Sequence, residues 1–420
     1  MDMPFSFSAA PPDADDVTRR NFRNVQIDAI AIGLTNAAAP FLPVFLARLG
    51  ASNLEVGLLT TIPAVTGLLL ALAAGRFLHA KRNIVPWFSL SRLLVISAYA
   101  LTGAAPFLVP PGLLIPAILA IWAAASIPQT VLNVTFSVVM NAVAGPERRY
   151  ELLSRRWTIL GFTTAVTVLL VGGLLDRIGF PVNYQAVFLL LSVGGLISFH
   201  FSSRISLPEA APAMITAGRN LRERFGSYFA LVRSRPDFVA FIAKRFVYMA
   251  GISLAQPIFP LYFVREVHAS DTWIGAISMV QTAVVLVGYP FWARQSRVRG
   301  GRFVLVATTL GASFYPLLAA LTRQPPVITA VAGLAGIFQA GIDLVFFDEL
   351  MKTVPGEYCA LFVSIAQEFF YLSTIFAPLL GILLAGIVGL GGALVVSWLI
   401  RLTGAALFAW GGSRAGRRPA

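Results

Sequence analysis

FLPVFLARLGASNLEVG, from Phe41 to Gly57, and FPLYFVREVHASDTWIG, from Phe259 to Gly275, are one passage written twice. Each opens with a proline-bearing apolar run, containing Pro43 or Pro260, that ends near an arginine, Arg48 or Arg265. A short polar link follows, and then a second apolar run begins. The separation is 217 residues at the prolines and arginines and 218 at Gly57 and Gly275, so one residue has been inserted between them. In both copies a serine, Ser52 or Ser270, is placed to cap the next helix. Ser52 and Glu55 have the spacing of a capping box, in which each side chain satisfies the other's backbone N–H.

Further along, IPQTVLNVTF (Ile127 to Phe136) answers to IFQAGIDLVF (Ile337 to Phe346) at a separation of 210. Gln129 pairs with Gln339, Asn133 with Asp343, and Phe136 with Phe346. Two echoes at nearly the same spacing make the chain a duplication of one half.

The halves are made of long apolar runs. Ile27 to Leu46, Val56 to Leu72, Leu93 to Leu108 and Thr158 to Leu175 carry almost no charge. A bilayer-crossing helix needs about 20 predominantly apolar residues. Over all 420 residues, 57% are hydrophobic and only 12% charged, about half the charged share of a soluble domain. That is too little to cover a water-facing surface. Strand-length alternation is absent, so the spans are helices and not the strands of a barrel. They are expected near 25–47, 54–75, 84–108, 112–142, 152–175 and 181–203, then near 237–264, 272–293, 303–322, 326–351, 358–385 and 393–411. The fold class is therefore all-α integral membrane, with twelve transmembrane helices in two pseudo-symmetric six-helix bundles at 25–203 and 237–411. Tails at 1–24 and 412–420 flank them. The segment 204–236 joins them; in it Leu221, Phe225, Tyr228, Phe229 and Val232 recur at helical spacing among Arg219, Arg222, Arg224, Arg233 and Arg235, which predicts an amphipathic helix on the membrane surface.

The net charge of +13 would suggest nucleic acid in a soluble protein. Here membrane topology accounts for it, and no nucleic-acid partner is expected. With both termini cytoplasmic, 24 of the 32 Lys and Arg fall in inner segments and four, Arg48, Arg177, Arg265 and Arg323, in outer loops. Arg92, Lys244, Arg245 and Arg401 fall within spans. Cytoplasmic loops collect basic residues, so this orientation in the plasma (inner) membrane is the expected one. Thr18-Arg19-Arg20-Asn21-Phe22-Arg23 resembles a twin-arginine export signal, but the apolar segment runs on past Ala39 and further spans follow, so the arginines read as an anchor. Residues 1–17 are expected to be disordered.

Several chemistries find no footing. A single cysteine, Cys359, allows no disulfide framework and reads as a small core filler; His79, His200 and His268 show no ligand spacing. Lys81, Lys244 and Lys352 are the only lysines and none follows a glycine, so there is no phosphate-cradling loop. No catalytic residue, metal or cofactor is expected, and the protein is not expected to be an enzyme. A polytopic membrane enzyme would need clustered nucleophiles, bases or metal ligands. A non-transporting sensor would need a large soluble domain, and no segment reads as one.

The repeated halves, the amphipathic linker and the basic loops GRFLHAKRN (Gly75 to Asn83) and ARQSRVRGGR (Ala293 to Arg302) resemble the major facilitator superfamily, over about Asn24 to Trp410. The family's aspartate in that loop is missing, with His79 about where it would fall, and the fifth helix lacks the Gly-Pro signature of drug–proton antiporters. The subfamily is therefore left open. The resemblance implies a central cavity lined by the first, fourth, seventh and tenth spans. Those spans offer Asp28 and Asn36; Gln129 and Asn133; Arg245, Tyr248 and Gln256; and Gln339 and Asp343. Polar side chains in a bilayer normally face the bundle interior or a wet cavity.

The candidate solute-binding set is Asn36, Gln129, Asn133, Tyr248, Gln256, Gln339 and Asp343. Asp343, in mid-span and paired in the repeat with an asparagine that cannot titrate, is the candidate proton-coupling group; a buried ion pair or a hydrogen-bonded aspartate that only holds helices together is the alternative. The amides could equally hold helices together. Asp28, Arg92, Lys244, Arg245, Asp348, Glu349 and Glu368 read as salt bridges of an inner gate or as plain structural pairs, with binding of an anionic solute through Arg245 as the alternative. Phe136, Phe346, Tyr248 and Tyr371 could line an amphiphile pocket or simply pack. Pro40, Pro43, Pro257 and Pro260 should bend the first and seventh spans. The expected function is secondary active transport, symport or antiport, of a small solute by alternating access, coupled to protons through Asp343. The alternative is a drug or amphiphile efflux pump of the same superfamily. The expected partners are the solute, the lipid bilayer and protons, and the expected state is a monomer.

Overall fold

The computed structural model describes residues 15–79, 81–207, 233, 235–353 and 359–410; the side chains at 71, 72, 75, 76, 79, 141, 144–151, 359–361 and 364 fall outside the description. Residues 1–14 of the N-terminal tail, the C-terminal tail, the amphipathic linker stretch 208–232 and the side chains of Cys359, Arg76 and His79 lie outside it too. Among the described residues the chain is helical throughout, with no strand: α1 (Asp16–Asn36), α2 (Phe41–Arg48), α3 (Asn53–His79), α4 (Val85–Leu108), α5 (Leu114–Leu175), α6 (Val182–Ser202), α7 (Pro236–Ala255), α8 (Ile258–Arg265), α9 (Asp271–Arg299), α10 (Gly301–Ala320), α11 (Pro325–Thr353) and α12 (Cys359–Trp410).

Taking α1 with α2 and α7 with α8 as one stretch each and α5 as two, eleven stretches among the described residues are long and apolar enough to cross a membrane. The last, Ile365–Trp410, is two helices merged across Gly389, which makes twelve. Gly389 has φ +79°, a left-handed value that glycine adopts without steric cost.

Where the first and seventh spans were expected, each is broken at the corresponding place. α1 stops at Asn36 and resumes as α2 at Phe41; α7 stops at Ala255 and resumes as α8 at Ile258. Proline removes a backbone donor and its ring crowds the preceding turn, and Pro40 and Pro257 stand in the two breaks. The capping box is present: Ser52 N donates to Glu55 Oε2 at 2.7 Å and Glu55 N to Ser52 Oγ at 3.3 Å. Ser270 Oγ accepts from Trp273 N at 3.4 Å.

Two boundaries differ from the expected ones. α1 begins at Asp16, and residues 16 and 17 are helical rather than disordered. Asp15 caps the helix, accepting from Thr18 N at 3.1 Å. The polar first turns are held by tertiary contacts that hydropathy does not register. Phe22 and Val25 are buried with Phe88, Val139, Met140 and Leu152, and Asn21 exchanges two hydrogen bonds with the Ser206 backbone. The second difference lies at 143–151, where a loop was expected. The helical run is unbroken for 62 residues, which would be about 93 Å if straight, three times the apolar thickness of a bilayer. It doubles back: the Arg156 guanidinium lies 4.8 Å from the Phe136 ring, although a straight helix would part them by about 30 Å.

The chain forms two compact units, the described parts of Met1–Phe45 with Leu69–Ala213, and of Leu46–Leu68 with Met214–Ala420. In the first, α1 packs on α5 and α6, and α4 packs on the same two. In the second, α7 packs on α12, α9 on α11, and α10 on both α11 and α12. Small residues sit at the crossings. A Cβ on Gly194 would stand 2.7 Å from the Ala31 carbonyl oxygen, and one on Gly336 2.7 Å from that of Gln281. Without a hydrophobic drive between helices in lipid, such close backbone approach supplies much of the packing energy. Large apolar side chains such as Leu190, Leu196, Leu383 and Ile387 stand on the outside, as a lipid-bathed surface requires.

The second unit contains a reciprocal pair of arginine ties. Arg48 Nη2 donates to Asp271 Oδ1 at 2.9 Å and to the Ala269 carbonyl at 3.2 Å. Arg265 Nη1 donates to Asn53 Oδ1 at 2.6 Å and Nη2 to the Ala51 carbonyl. Each repeat's arginine thus reaches the start of the other repeat's next helix, with Asp271 and Asn53 as equivalent acceptors. Only the first tie is an ion pair, and Asp271 is nearly fully buried. A double-mutant cycle over Arg48→Ala and Asp271→Ala should give a coupling of about 1.5–3 kcal/mol, the range for hydrogen bonds to charged groups, read from the denaturation of detergent-solubilised protein. Strict additivity of the two changes would show the tie to be worthless.

Candidate functional site

The two matched polar pairs make the same bond. Gln129 Nε2 donates to Asn133 Oδ1 at 2.8 Å on α5, and Gln339 Nε2 donates to Asp343 Oδ1 at 2.8 Å on α11. Both follow from spacing, since residues four apart on a helix are neighbours on one face. The second copy is elaborated: Tyr289 on α9 donates its hydroxyl to Asp343 Oδ2 at 3.1 Å. The equivalent position in the first repeat is Ala71, which has no such donor. Tyr289 is a functional candidate that sequence reasoning missed. Its signal was present as a tyrosine standing where the repeat has alanine.

Asn133 and Asp343 are exposed, and Gln129 and Gln339 half-buried. Asn36, the last residue of α1, and Gln256, which caps the end of α7, are exposed as well. Both stand at the helix breaks, where backbone carbonyls lack their usual partners. Amide and carboxylate groups exposed on spanning helices are poorly suited to lipid. In each unit, then, these residues mark a face that needs water, solute or protein against it.

Tyr248 is placed differently from its neighbours in sequence. It is fully buried, packed against Phe346, and donates its hydroxyl to the Thr309 carbonyl at 3.1 Å. Arg245, Tyr248 and Gln256 therefore share a helical stripe without forming one accessible surface.

The charged candidates separate into three groups. Asp28 and Arg92 are joined in the first unit, with Oδ2 2.6 Å from Nη1. Arg156 Nη2 approaches the same oxygen at 3.4 Å, and Ser198 Oγ donates to Oδ1 at 2.6 Å. All three charges are almost wholly buried, so two guanidinium groups share one carboxylate. Aromatic faces take part of the excess: Arg92 lies 4.4 Å from the Phe88 ring and Arg156 4.8 Å from that of Phe136, within cation–π range. Asp348 and Glu349 hold Lys352 of their own helix, at 2.7 and 2.8 Å. Arg245 and Glu368 make no ion pair among the described residues.

No family model matches the sequence, and a search of curated proteins finds no significant match. Solved structures do match. The human organic anion transporter MFSD10 (TETRAN) superposes with TM-score 0.63 at 15% identity, over 95% of this chain and 100% of that one. The nucleoside transporter NupG, in a mutant form, superposes with TM-score 0.64 at 13% identity, over 92% of this chain and 98% of that one. Identities this low establish the fold alone. The chain is an all-α, multi-pass membrane protein with the major facilitator fold that its repeated halves predict.

Proposed function

We propose that this protein is a secondary transporter, moving a small solute across the plasma (inner) membrane by alternating access as a monomer with both termini cytoplasmic, and that Asp343 carries the coupling proton. The observation that carries the reading is the matched pair. Two equivalent helices bear the same glutamine-to-oxygen hydrogen bond, and only one of the two acceptors can ionise. Asp343 accepts from both Gln339 and Tyr289; on taking a proton it becomes a donor, and at least one of those bonds must rearrange. A proton moving down the membrane potential supplies about 2.3 kcal/mol per 100 mV.

Asn36, Gln129, Asn133, Gln256 and Gln339 then offer both donors and acceptors to the solute. The Asp28 cluster holds together the helices it joins, whereas the Lys352 pairs with Asp348 and Glu349 stay within α11 and close no gate between helices. The two structural neighbours are described as transporters, one of organic anions and one of nucleosides; their difference leaves the cargo to be read from this chain's own residues.

The test is transport by purified protein in sealed vesicles, with and without an imposed pH gradient. A library of sugars, amino acids, nucleosides and organic acids should contain at least one solute whose accumulation requires the gradient. Solute entry indifferent to the gradient would remove proton coupling and leave a facilitator. No entry of any solute would remove transport.

A further inference from the structure

α9 presents two opposite faces to different surroundings. On one, Tyr289 donates to Asp343 and Trp292 Nε1 donates to the Ile337 carbonyl at 2.7 Å, both on α11. On the other stand Val287, Phe291, Arg294, Arg297 and Val298, all exposed. At about 100° per residue these five fall within about 120° of arc, so they form a single stripe. Its order along the helix is apolar first and basic after: the two arginines follow Val287 by roughly 10–15 Å, toward the end of α9 at Arg299.

The apolar part of the stripe is what a lipid-bathed helix requires. The arginines need a further cause. Residues 272–342 contain no aspartate or glutamate, and neither Arg294 nor Arg297 makes an ion pair among the described residues. A helix dipole favours basic residues in the last turn, but the effect fades within that turn. Arg297 and Arg299 lie in it, and Arg294 does not. Arg299 also rests over the Phe303 ring at 4.9 Å, and Arg302 donates to the Ala409 carbonyl at 3.2 Å. Arg294 and Arg297 stand one turn apart on one face, where like charges repel. The repeat marks the combination as particular to the second half. At the corresponding positions the first half has Arg76 and His79, with Ala73 in place of Phe291.

We propose that this stripe binds an anionic phospholipid, its phosphate held between Arg294 and Arg297 and an acyl chain laid along Phe291 and Val287. The fit is one of charge and of order. A guanidinium donates to phosphate oxygens through two parallel N–H groups, so a phosphate between the pair turns their repulsion into charge-assisted contacts. The run from apolar to cationic toward the helix end is the run of a lipid from chain to headgroup. Half the apolar thickness of a bilayer is about 15 Å, which matches the reach from Val287 to the arginines. A free phosphate would use the arginines and leave Phe291 and Val287 idle. A zwitterionic lipid would bring a cation with its phosphate. The site needs only the membrane-spanning fold and stands whether or not the protein moves a solute.

The probes are dioleoyl phosphatidylglycerol, dioleoyl phosphatidylcholine and glycerol phosphate, titrated into the full-length protein in detergent. Bound lipid is counted by native mass spectrometry, with melting temperature as the second readout. Phosphatidylglycerol should bind and raise the melting temperature, and the other two should not at the same concentration. Arg294→Gln combined with Arg297→Gln should weaken phosphatidylglycerol about tenfold or more, since each basic residue near an anionic headgroup adds to the attraction. Arg297→His copies the first repeat, so it should fold; at about pH 8 the imidazole is neutral, and binding should weaken in the same direction by less. Phe291→Ala, which leaves the charge untouched, should weaken binding as well. Lys81→Gln combined with Arg82→Gln, in the corresponding loop of the first repeat, should leave it as it was. Equal binding of the two phospholipids, or glycerol phosphate stabilising as well as phosphatidylglycerol does, overturns the site. So does an affinity unchanged by the double arginine variant or by Phe291→Ala, or an equal loss in the Lys81 and Arg82 variant.

Discussion

Asp28→Ala should leave almost no monodisperse protein, because the change strands two buried guanidinium groups at once. Arg92 and Arg156 both lean on the Asp28 carboxylate, at 2.6 and 3.4 Å, and all three are almost wholly buried. Removing one partner of a buried ion pair typically costs about 3–5 kcal/mol, and here one carboxylate serves two cations. Against a total stability of about 5–15 kcal/mol, that is enough to empty the folded state. Asp28→Asn should do nearly as badly, since the amide can keep the bond from Ser198 but cannot balance charge. The reverse change should be mild: Arg156→Met removes the more distant cation and leaves one acid with one base. The decisive variant is the triple replacement Asp28→Ala, Arg92→Met, Arg156→Met. If the cost of the single change is uncompensated charge, removing all three charges should restore most of the lost melting temperature, as apolar replacements of buried ion clusters often do. If instead Asp28→Ala melts like the unaltered protein, the cluster holds nothing together.

That cluster also shows where sequence reading stops. Asp28 and Arg92 were recognisable as charges inside spans, but Arg156 was counted with the basic residues of the inner face. It stands at the start of a span, and hydropathy cannot fix depth to within a turn. Ser198 gave no signal, being one small polar residue in an apolar helix. The partners lie 64, 128 and 170 residues from Asp28, and no local pattern encodes such pairings. What was legible is local or repeated. The proline breaks, the serine caps and the Gln129–Asn133 and Gln339–Asp343 bonds follow from residues within four positions of each other, doubled by the internal repeat. The helical spacing that put Arg245, Tyr248 and Gln256 on one stripe was also correct as geometry. It could not say that neighbouring helices bury Tyr248 against Phe346 and Phe408 while leaving Gln256 exposed. The start of α1 fails for the same reason: its first turns are polar, and residues far off in sequence, Phe88, Val139, Leu152 and Ser206 among them, hold them.

Asp343→Asn converts the second repeat's acceptor into the first repeat's, and the expected result is a protein that folds normally, still exchanges solute, and no longer accumulates it against a gradient. The fold should tolerate the change because the first repeat already contains it: Asn133 accepts from Gln129 at the same 2.8 Å that Asp343 accepts from Gln339. An ionised aspartate at the centre of a span is disfavoured by about 2.5–3.5 kcal/mol on insertion scales, so the melting temperature should hold or rise. Tyr289 can keep a bond to the amide by accepting rather than donating. Asp343→Ala, by contrast, deprives both Gln339 and Tyr289 of their acceptor and should reduce solute binding as well, which makes it the poorer test of coupling. In vesicles, Asp343→Asn should keep solute counterflow within a few-fold of the original while proton-driven accumulation falls at least about tenfold, the equivalent of losing some 1.4 kcal/mol of drive. The split matters more than either number, because a merely structural aspartate would lower both activities together. Full gradient-driven accumulation by Asp343→Asn would move the proton to another group. Glu368 is the next titratable candidate to examine, since it too makes no ion pair among the described residues.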